Sequence, residues 1–438
     1  MRPKWQSPLQ GDLSRTQTFF SMPVPAKHKH FSSHHKSPHQ CRIFGRIAAH
    51  KACAGAHEVR TMKHLYLGAS LCVLLLGSGQ SALAARPLAP SYDVDVAFVL
   101  DTTGSMSGLI EGAKQKIWAI ANDIADTRQG QQGRIRFALI GYRDRGDAYV
   151  TRTFDLTDDM NSIYGHLLEF KAQGGGDRPE SVNQALTESI EDLQWSRNPQ
   201  TLRLVFLVGD APPHMDYPND IPYAVTLRDA RDADIIVNTV QAGRHSDTAK
   251  VWREIADLGD GDYLAIAQNG GMKQVNTPYD GQIEQMQQAM NHTVLGYGTA
   301  TARAEIRTKR NLALAAPARV ASDMASYRFK TGKKNKVLTG GNELVEDYAD
   351  GKVSLETLDK ASLPKELKGL SKKEQKAKLN ALVKERQTLN SKMEILVKKR
   401  DVYLKEEAKK RIKNSPDKGF DIKVRETIRK QAAAKMKK

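Results

Sequence analysis

Cysteine is nearly missing from this chain. Its 438 residues hold three, Cys41, Cys53 and Cys72, all in the first 72 positions. If the front of the chain is removed, no thiol and no disulfide remains, which fits an oxidising compartment. Long apolar runs are missing too. The stretch Leu65 to Leu76 falls short of the ~20 residues that span a bilayer. Catalytic spellings are equally scarce. The chain offers no Gly-x-Ser-x-Gly elbow, no paired histidine ligands and no phosphate-cradling glycine loop with its lysine.

Acidic charge is short overall, but not evenly so. Residues 1–84 carry 11 basic and 2 acidic side chains and residues 360–438 carry 26 and 10, so the middle holds about −8 of the formal total of +17. The basic character therefore belongs to the ends. At this length the chain has room for two or three domains.

The front divides in two. Met62-Lys63-His64 opens the apolar run, Gly77-Ser78-Gly79-Gln80 closes it, and Ala82-Leu83-Ala84 comes next. A positive start, a short apolar stretch and a small-x-small site predict a signal peptide over 62–84, cleaved near Ala84, and export to the periplasm or beyond. Leu71 before Cys72 fits a lipoprotein box poorly. Residues 1–61 are basic and patternless, with histidines at His28, His30, His34, His35 and His39. A metal-binding tract is one reading of them. The plainer reading, which we prefer, is a non-native or disordered leader ahead of a true start at Met62.

The chain is organised around Asp101-Thr102-Thr103-Gly104-Ser105-Met106-Ser107. Val94 to Leu100 before it reads as a strand, and Leu109, Ala113, Ile117, Ile120 and Ile124 after it mark one face of a helix. A carboxylate at a strand end, then hydroxyls and a glycine turn, makes an oxygen-rich pocket where open α/β sheets bind ligands. Strand signals recur at Arg134 to Ile140, Tyr149 to Phe154, Leu202 to Val208, Ile235 to Val240 and Tyr263 to Ile266. Helical faces lie between them, at Ile163/Leu167/Phe170, Val182/Leu186/Ile190/Leu193 and Val251/Trp252/Ile255, and Ile283/Met286/Met290 mark a last one. This alternation predicts an α/β fold with a doubly wound, mostly parallel sheet.

Two later loops leave comparable strand ends: Gly174-Gly175-Gly176-Asp177-Arg178-Pro179-Glu180 and Gly209-Asp210-Ala211-Pro212-Pro213-His214. Together with Asp101, Thr103 and Ser105 they resemble the metal-ion-dependent adhesion site of von Willebrand factor type A (VWA) domains, over about Val94 to Gly298. In particular the chain is similar to the VWA subgroup found beside alpha-kinases and in exported bacterial proteins, although the kinase half is absent here. The resemblance implies a VWA domain over 92–298 that holds a divalent cation, Mg²⁺ first and Mn²⁺ or Ca²⁺ as substitutes. The implied ligands are Asp101, Thr103, Ser105, Asp177 and Asp210. Loop two departs from the family pattern: Gly176 and Asp177 stand where a threonine is usual. Whether Asp177 coordinates directly, through water or not at all is open.

Other residues read more plainly. Arg145-Gly146-Asp147 and Asp260-Gly261-Asp262 fit turns, Asp144 shapes the first of these, and His214 fits a hydrogen-bonded loop histidine.

Residues 299–360 read as a mixed helical linker. Ala300 to Phe329 is helix-compatible despite Pro317, and Gly332 and Gly340-Gly341-Asn342 punctuate the stretch beyond it. Residues 361–438 read as a basic, coiled-coil-prone tail. Ser371 and Glu374 spell a capping box for a helix to about Lys413, ended by Asn414-Ser415-Pro416. Leu382, Leu389, Met393, Leu396 and Tyr403 form an a/d-like seam that Arg386 and Arg400 interrupt, and Ile422 to Lys435 gives a second helix able to fold back. The seam needs a partner: another helix, a second copy or the domain itself.

The expected role is non-catalytic, metal-dependent binding or scaffolding, with a partner's Asp or Glu completing the cation's coordination. The tail adds self-association or contact with an anionic envelope surface. Nucleic acid fits poorly, because Tyr403 and Phe420 alone supply aromatic rings in the tail. Two rivals stand beside this reading: a metal-dependent hydrolase, and a cytosolic VWA partner of an AAA+ ATPase.

Overall fold

The computed structural model describes residues 93–127, 133–414 and 418–436. The signal segment 62–84, the histidine-rich leader and all three cysteines lie outside the described residues.

Six strands form one sheet: β1 (Val94–Asp101), β2 (Ile135–Tyr142), β3 (Thr151–Thr157), β4 (Leu202–Gly209), β5 (Ile235–Ala242) and β6 (Asp260–Ile266). They lie in the order β3-β2-β1-β4-β5-β6. All neighbours pair in parallel except β2 and β3, which are antiparallel. β1 and β4 are buried at every position, as their unbroken apolar spelling requires of strands covered on both faces. Asp260 takes a positive φ of 53° and opens β6, so the expected turn is part of the strand's entry.

Six helices cover the sheet: α1 (Ser107–Thr127), entered through a short 3-10 turn at Gly104–Met106, α2 (Met160–Glu169), α3 (Val182–Glu191), α4 (Tyr223–Asp232), α5 (Ser246–Leu258) and α6 (Asp280–His292). Alternate residues of β1 serve two layers. Val94, Val96, Phe98 and Leu100 join the core beneath α1, α2 and α6. Ala97 and Val99 join the core beneath α3, α4 and α5. The sequence pattern misses α4. Its buried face is only Tyr223, Thr226, Leu227 and Ala230, too short a stripe among charged neighbours to register.

The stretch expected as one helix from Ala300 is two, α7 (Ala300–Ala315) and α8 (Ala318–Lys330). Pro317 separates them, since it has no N–H to continue the first ladder. α9 (Leu344–Ala349) then packs Leu344 and Val345 with Leu295, Leu355, Leu363, Leu367 and Leu379 in a smaller core.

α10 (Lys372–Asn414) opens with the expected capping box: Glu374 Oε2 accepts from Ser371 N at 2.8 Å. Its seam is not a free coiled-coil surface. Met393 and Val397 are buried in the same core as β1, and α10 packs on α6, α8 and α9. The two arginines that interrupt the apolar seam anchor it. Arg386 donates to Glu343 at 2.7 Å and to Thr293 Oγ1 at 2.6 Å, both inside the protein. Arg400 pairs with Asp280 at 2.7 Å and Asp323 at 2.8 Å. Of the partners open to the seam, the structure supplies its own chain. α11 (Phe420–Lys435) does not lie along α10 as a hairpin arm. It docks on α1 and β6, with Phe420, Val424, Ile428 and Ala432 in the main core. Among the described residues no helix is long and apolar enough to cross a membrane.

Candidate metal centre

β1 and β4 are neighbours whose connections run to opposite ends of the sheet, and the crevice outside their carboxyl ends is where such sheets bind ligands. Asp101, the last residue of β1, sits there with no exposed surface. Its Oδ1 accepts from Thr103 N at 2.8 Å and Thr103 Oγ1 at 2.6 Å, and that hydroxyl lies 3.3 Å from Ser105 Oγ. Loop one is thereby folded around its own carboxylate.

Loop two is tied across it: Gly104 N donates to Gly174 O at 3.2 Å and Gln173 N to Thr102 O at 3.1 Å. Gly174 has φ +85°, and a Cβ there would stand 2.2 Å from Asp147 Oδ2. Asp147 in turn accepts from Gly175 N at 3.2 Å. The Arg145-Gly146-Asp147 turn lies at the surface but makes contacts within the chain: Asp147 holds loop two, and Arg145 pairs with Asp220 while lying 3.9 Å over the Tyr217 ring.

Loop three arrives from β4. Asp210 Oδ2 accepts from Gln268 Nε2 at 2.6 Å, and its backbone oxygen accepts from Thr248 at 3.0 Å. Loops two and three are joined by a parallel bridge between Glu180 and Pro213. The three loops border an open pocket of about 250 Å³ lined by Thr103, Ser105, Asp177, Glu180, Asp210 and His245, with Arg178, which pairs with Asp247, also on its wall.

The electrostatics of this cavity are unbalanced. Asp101 Oδ2 and Glu180 Oε2 are buried and have no hydrogen-bond partner. Burial pushes Asp101 up to about 7 against the opposing pull of its Thr103 bonds. Burial, with the charges of Asp101, Asp144, Asp147 and Asp210 behind it, pushes Glu180 up to about 9. Buried carboxylates crowded together without a cation are costly. The donors are hydroxyl and carboxylate oxygens, the set that a hard divalent cation takes. The residues present fit such an ion.

Of the sequence-predicted ligands, Thr103, Ser105 and Asp210 line this pocket, and Asp101 lies buried beside it, joined to it through Thr103. Asp177 lies on the same cavity with its side chain 64% exposed, but its Oδ2 stands 3.7 Å from His214 Nε2. Asp144 does more than shape its turn: its carboxylate accepts from Ser181 Oγ at 2.9 Å and Tyr217 OH at 2.8 Å. His214 is hydrogen-bonded as expected, through Nδ1 to Asp216 at 2.8 Å, while Nε2 is buried without a partner. Sequence reasoning missed Glu180 as a site residue, although it closes the loop-two motif. It also missed Gln268, which nothing in the sequence marks.

Residues 95–274 match the family described as the von Willebrand factor A domain. Von Willebrand factor A domain-containing protein 7 of Rattus norvegicus is 35% identical over 112 residues, 24% of this chain and 12% of that protein. The alpha-protein kinase vwkA of Dictyostelium discoideum is 29% identical over 157 residues, 34% of this chain and 24% of that protein. The chain thus spans less than a quarter of the length of these relatives. Among solved structures, the conserved hypothetical protein BatB from Bacteroides thetaiotaomicron aligns with a TM-score of 0.30 at 15% identity, over 40% of this chain and 91% of that one. The family match, the mostly parallel six-stranded sheet and the three loops at its mouth agree on one conclusion: residues 95–274 are a von Willebrand factor A domain.

Proposed function

We propose that this domain is a non-catalytic protein-binding module that works through a divalent cation, Mg²⁺ first. Asp101, Thr103, Ser105 and Asp210 hold the ion, with Glu180 beside them, and a partner's Asp or Glu completes its coordination. The observation that carries this reading is the pair of buried, partnerless carboxylate oxygens on Asp101 and Glu180. A cation held by neutral hydroxyls and few carboxylates keeps positive charge and an open position, and a partner carboxylate fills both. The signal-like segment at 62–84 supports a role outside the cytoplasm. A mature N-terminus at Met62 or earlier would favour the AAA+ partner reading instead.

The experiment is calorimetric titration of the full chain with Mg²⁺, Mn²⁺ and Ca²⁺ beside Asp101→Ala. Saturable binding that disappears in the variant supports the reading. Equal heats in both proteins, or none in either at millimolar metal, count against it. Hydrolytic turnover that Asp101→Ala abolishes would favour the hydrolase.

A further inference from the structure

The Asp101 cavity leaves one group of chemistry-bearing side chains unexplained. Asp144 from the end of β2, Asp177 from loop two and His214 from loop three bring one ligand atom each within 4.8 Å of the others. His214 is 8% exposed and its Nε2 has no hydrogen-bond partner. That nitrogen lies 3.4 Å from Asp144 Oδ2 and 3.7 Å from Asp177 Oδ2. Both separations exceed the 2.7–3.2 Å of a direct N–H···O bond. They match the distance between two ligands of one ion: donors about 2.1 Å from a tetrahedral centre stand ~3.4 Å apart.

The surroundings are those of a ligating histidine. Nδ1 lies 2.8 Å from Asp216 Oδ1, the outer carboxylate contact that fixes the tautomer and turns the Nε2 lone pair toward an ion. The ring stacks on Tyr217 at 4.2 Å. The Asp144 carboxylate is held in place by Ser181 Oγ on Oδ1 at 2.9 Å and by Tyr217 OH, which donates to Oδ1 at 3.0 Å and to Oδ2, the oxygen facing His214, at 2.8 Å. Among the described residues no lysine or arginine pairs with Asp144 or Asp177.

We propose that Asp144, Asp177 and His214 form a second cation site beside the Asp101 cavity, one that takes a borderline transition metal such as Zn²⁺. One imidazole nitrogen and two carboxylates suit that class, whereas the all-oxygen Asp101 cavity suits hard cations. Three protein ligands leave a fourth position open to water or to a partner's donor. The ion would staple loop two to loop three and so set the rim that a partner of the Asp101 cavity meets.

The test is titration of the full chain with Zn²⁺, and with Co²⁺ for its visible absorption, in wild type under excess Mg²⁺ and in Asp101→Ala. Both proteins are expected to bind one equivalent more than their His214→Gln counterparts, with the absorption of a nitrogen-ligated Co²⁺, so that any binding by the leader histidines is subtracted. His214→Gln and Asp177→Asn should each lose it, and Asp216→Asn should weaken it about 10- to 100-fold. Asp177 is largely exposed, so loss in Asp177→Asn is not a folding defect. No saturable binding under either condition, or binding that His214→Gln and Asp177→Asn leave unchanged, overturns the proposal. Neither result bears on Mg²⁺ binding at Asp101, which is read separately.

Discussion

Arg400, in the C-terminal half of α10, places its guanidinium against Asp280 at the start of α6, Nε to Oδ1 at 2.7 Å, and is itself 2% exposed. Its other arm meets Asp323 at 2.8 Å. One cation thus serves two buried anions on two helices.

Replacing Arg400 by Ala should therefore cost more than the contacts it makes. Asp280 and Asp323 would be left buried without the cation that pairs with them, with only the more distant Arg319 nearby, a loss of about 3–5 kcal/mol. Urea denaturation of the variant, alone and combined with Asp280→Asn, checks this. The double variant should recover part of the loss, because the stranded anion is removed with its partner.

Phe420 is 2% exposed, and its ring centroid lies 6.4 Å from that of Phe98 on β1. Phe420→Ala should destabilise the whole fold by about 3–5 kcal/mol. If α11 were a dispensable tail, the melting temperature would not move.

Gly174→Ala introduces both a left-handed backbone strain and a clash with Asp147. A cost of about 1–3 kcal/mol is expected for the strain alone. Since loop two borders the Asp101 cavity, Mg²⁺ affinity should fall with it, while Gly176→Ala, whose added carbon would meet nothing within 4 Å, should be near neutral. Calorimetry on the two variants side by side separates these outcomes.

In the chelated protein Asp101 is raised to about 7 and Glu180 to about 9. Each folded acid then binds its proton more tightly than the unfolded chain does. Stability is gained below these values and lost as pH rises through them. Melting with EDTA should show a falling transition temperature between about pH 5 and pH 9, flattened by Mg²⁺. A curve that rises over that window would contradict the assignment.

The legible parts of this fold are those with local spelling. β1 and β4 announce themselves as apolar runs, loops one and three as carboxylate-bearing clusters at their strand ends, and loop two as a glycine run, although it joins α2 to α3 rather than leaving a strand. The rest is decided over long distances. Arg386 and Arg400 look like breaks in a seam until Glu343, Asp280 and Asp323 are seen opposite them. Glu180 is visible only as the last letter of a motif, because its burial depends on loop three crossing over it. His214 reads as a loop histidine through the one nitrogen that has a partner. The other nitrogen matters because Asp144 and Asp177, 70 and 37 positions earlier in the chain, converge on it.

The position of α11 also bears on how the molecule is made. Phe98 is among the first described residues of the sheet, and part of its cover arrives more than 300 positions later with Phe420. During synthesis the first strand must wait, one apolar face incompletely shielded, until residues more than 300 positions downstream have left the ribosome. Domains generally close in order from the N-terminus; here that order is reversed for one face of the core. A chain truncated before residue 420 should be prone to aggregation and to chaperone capture, however complete its metal loops are.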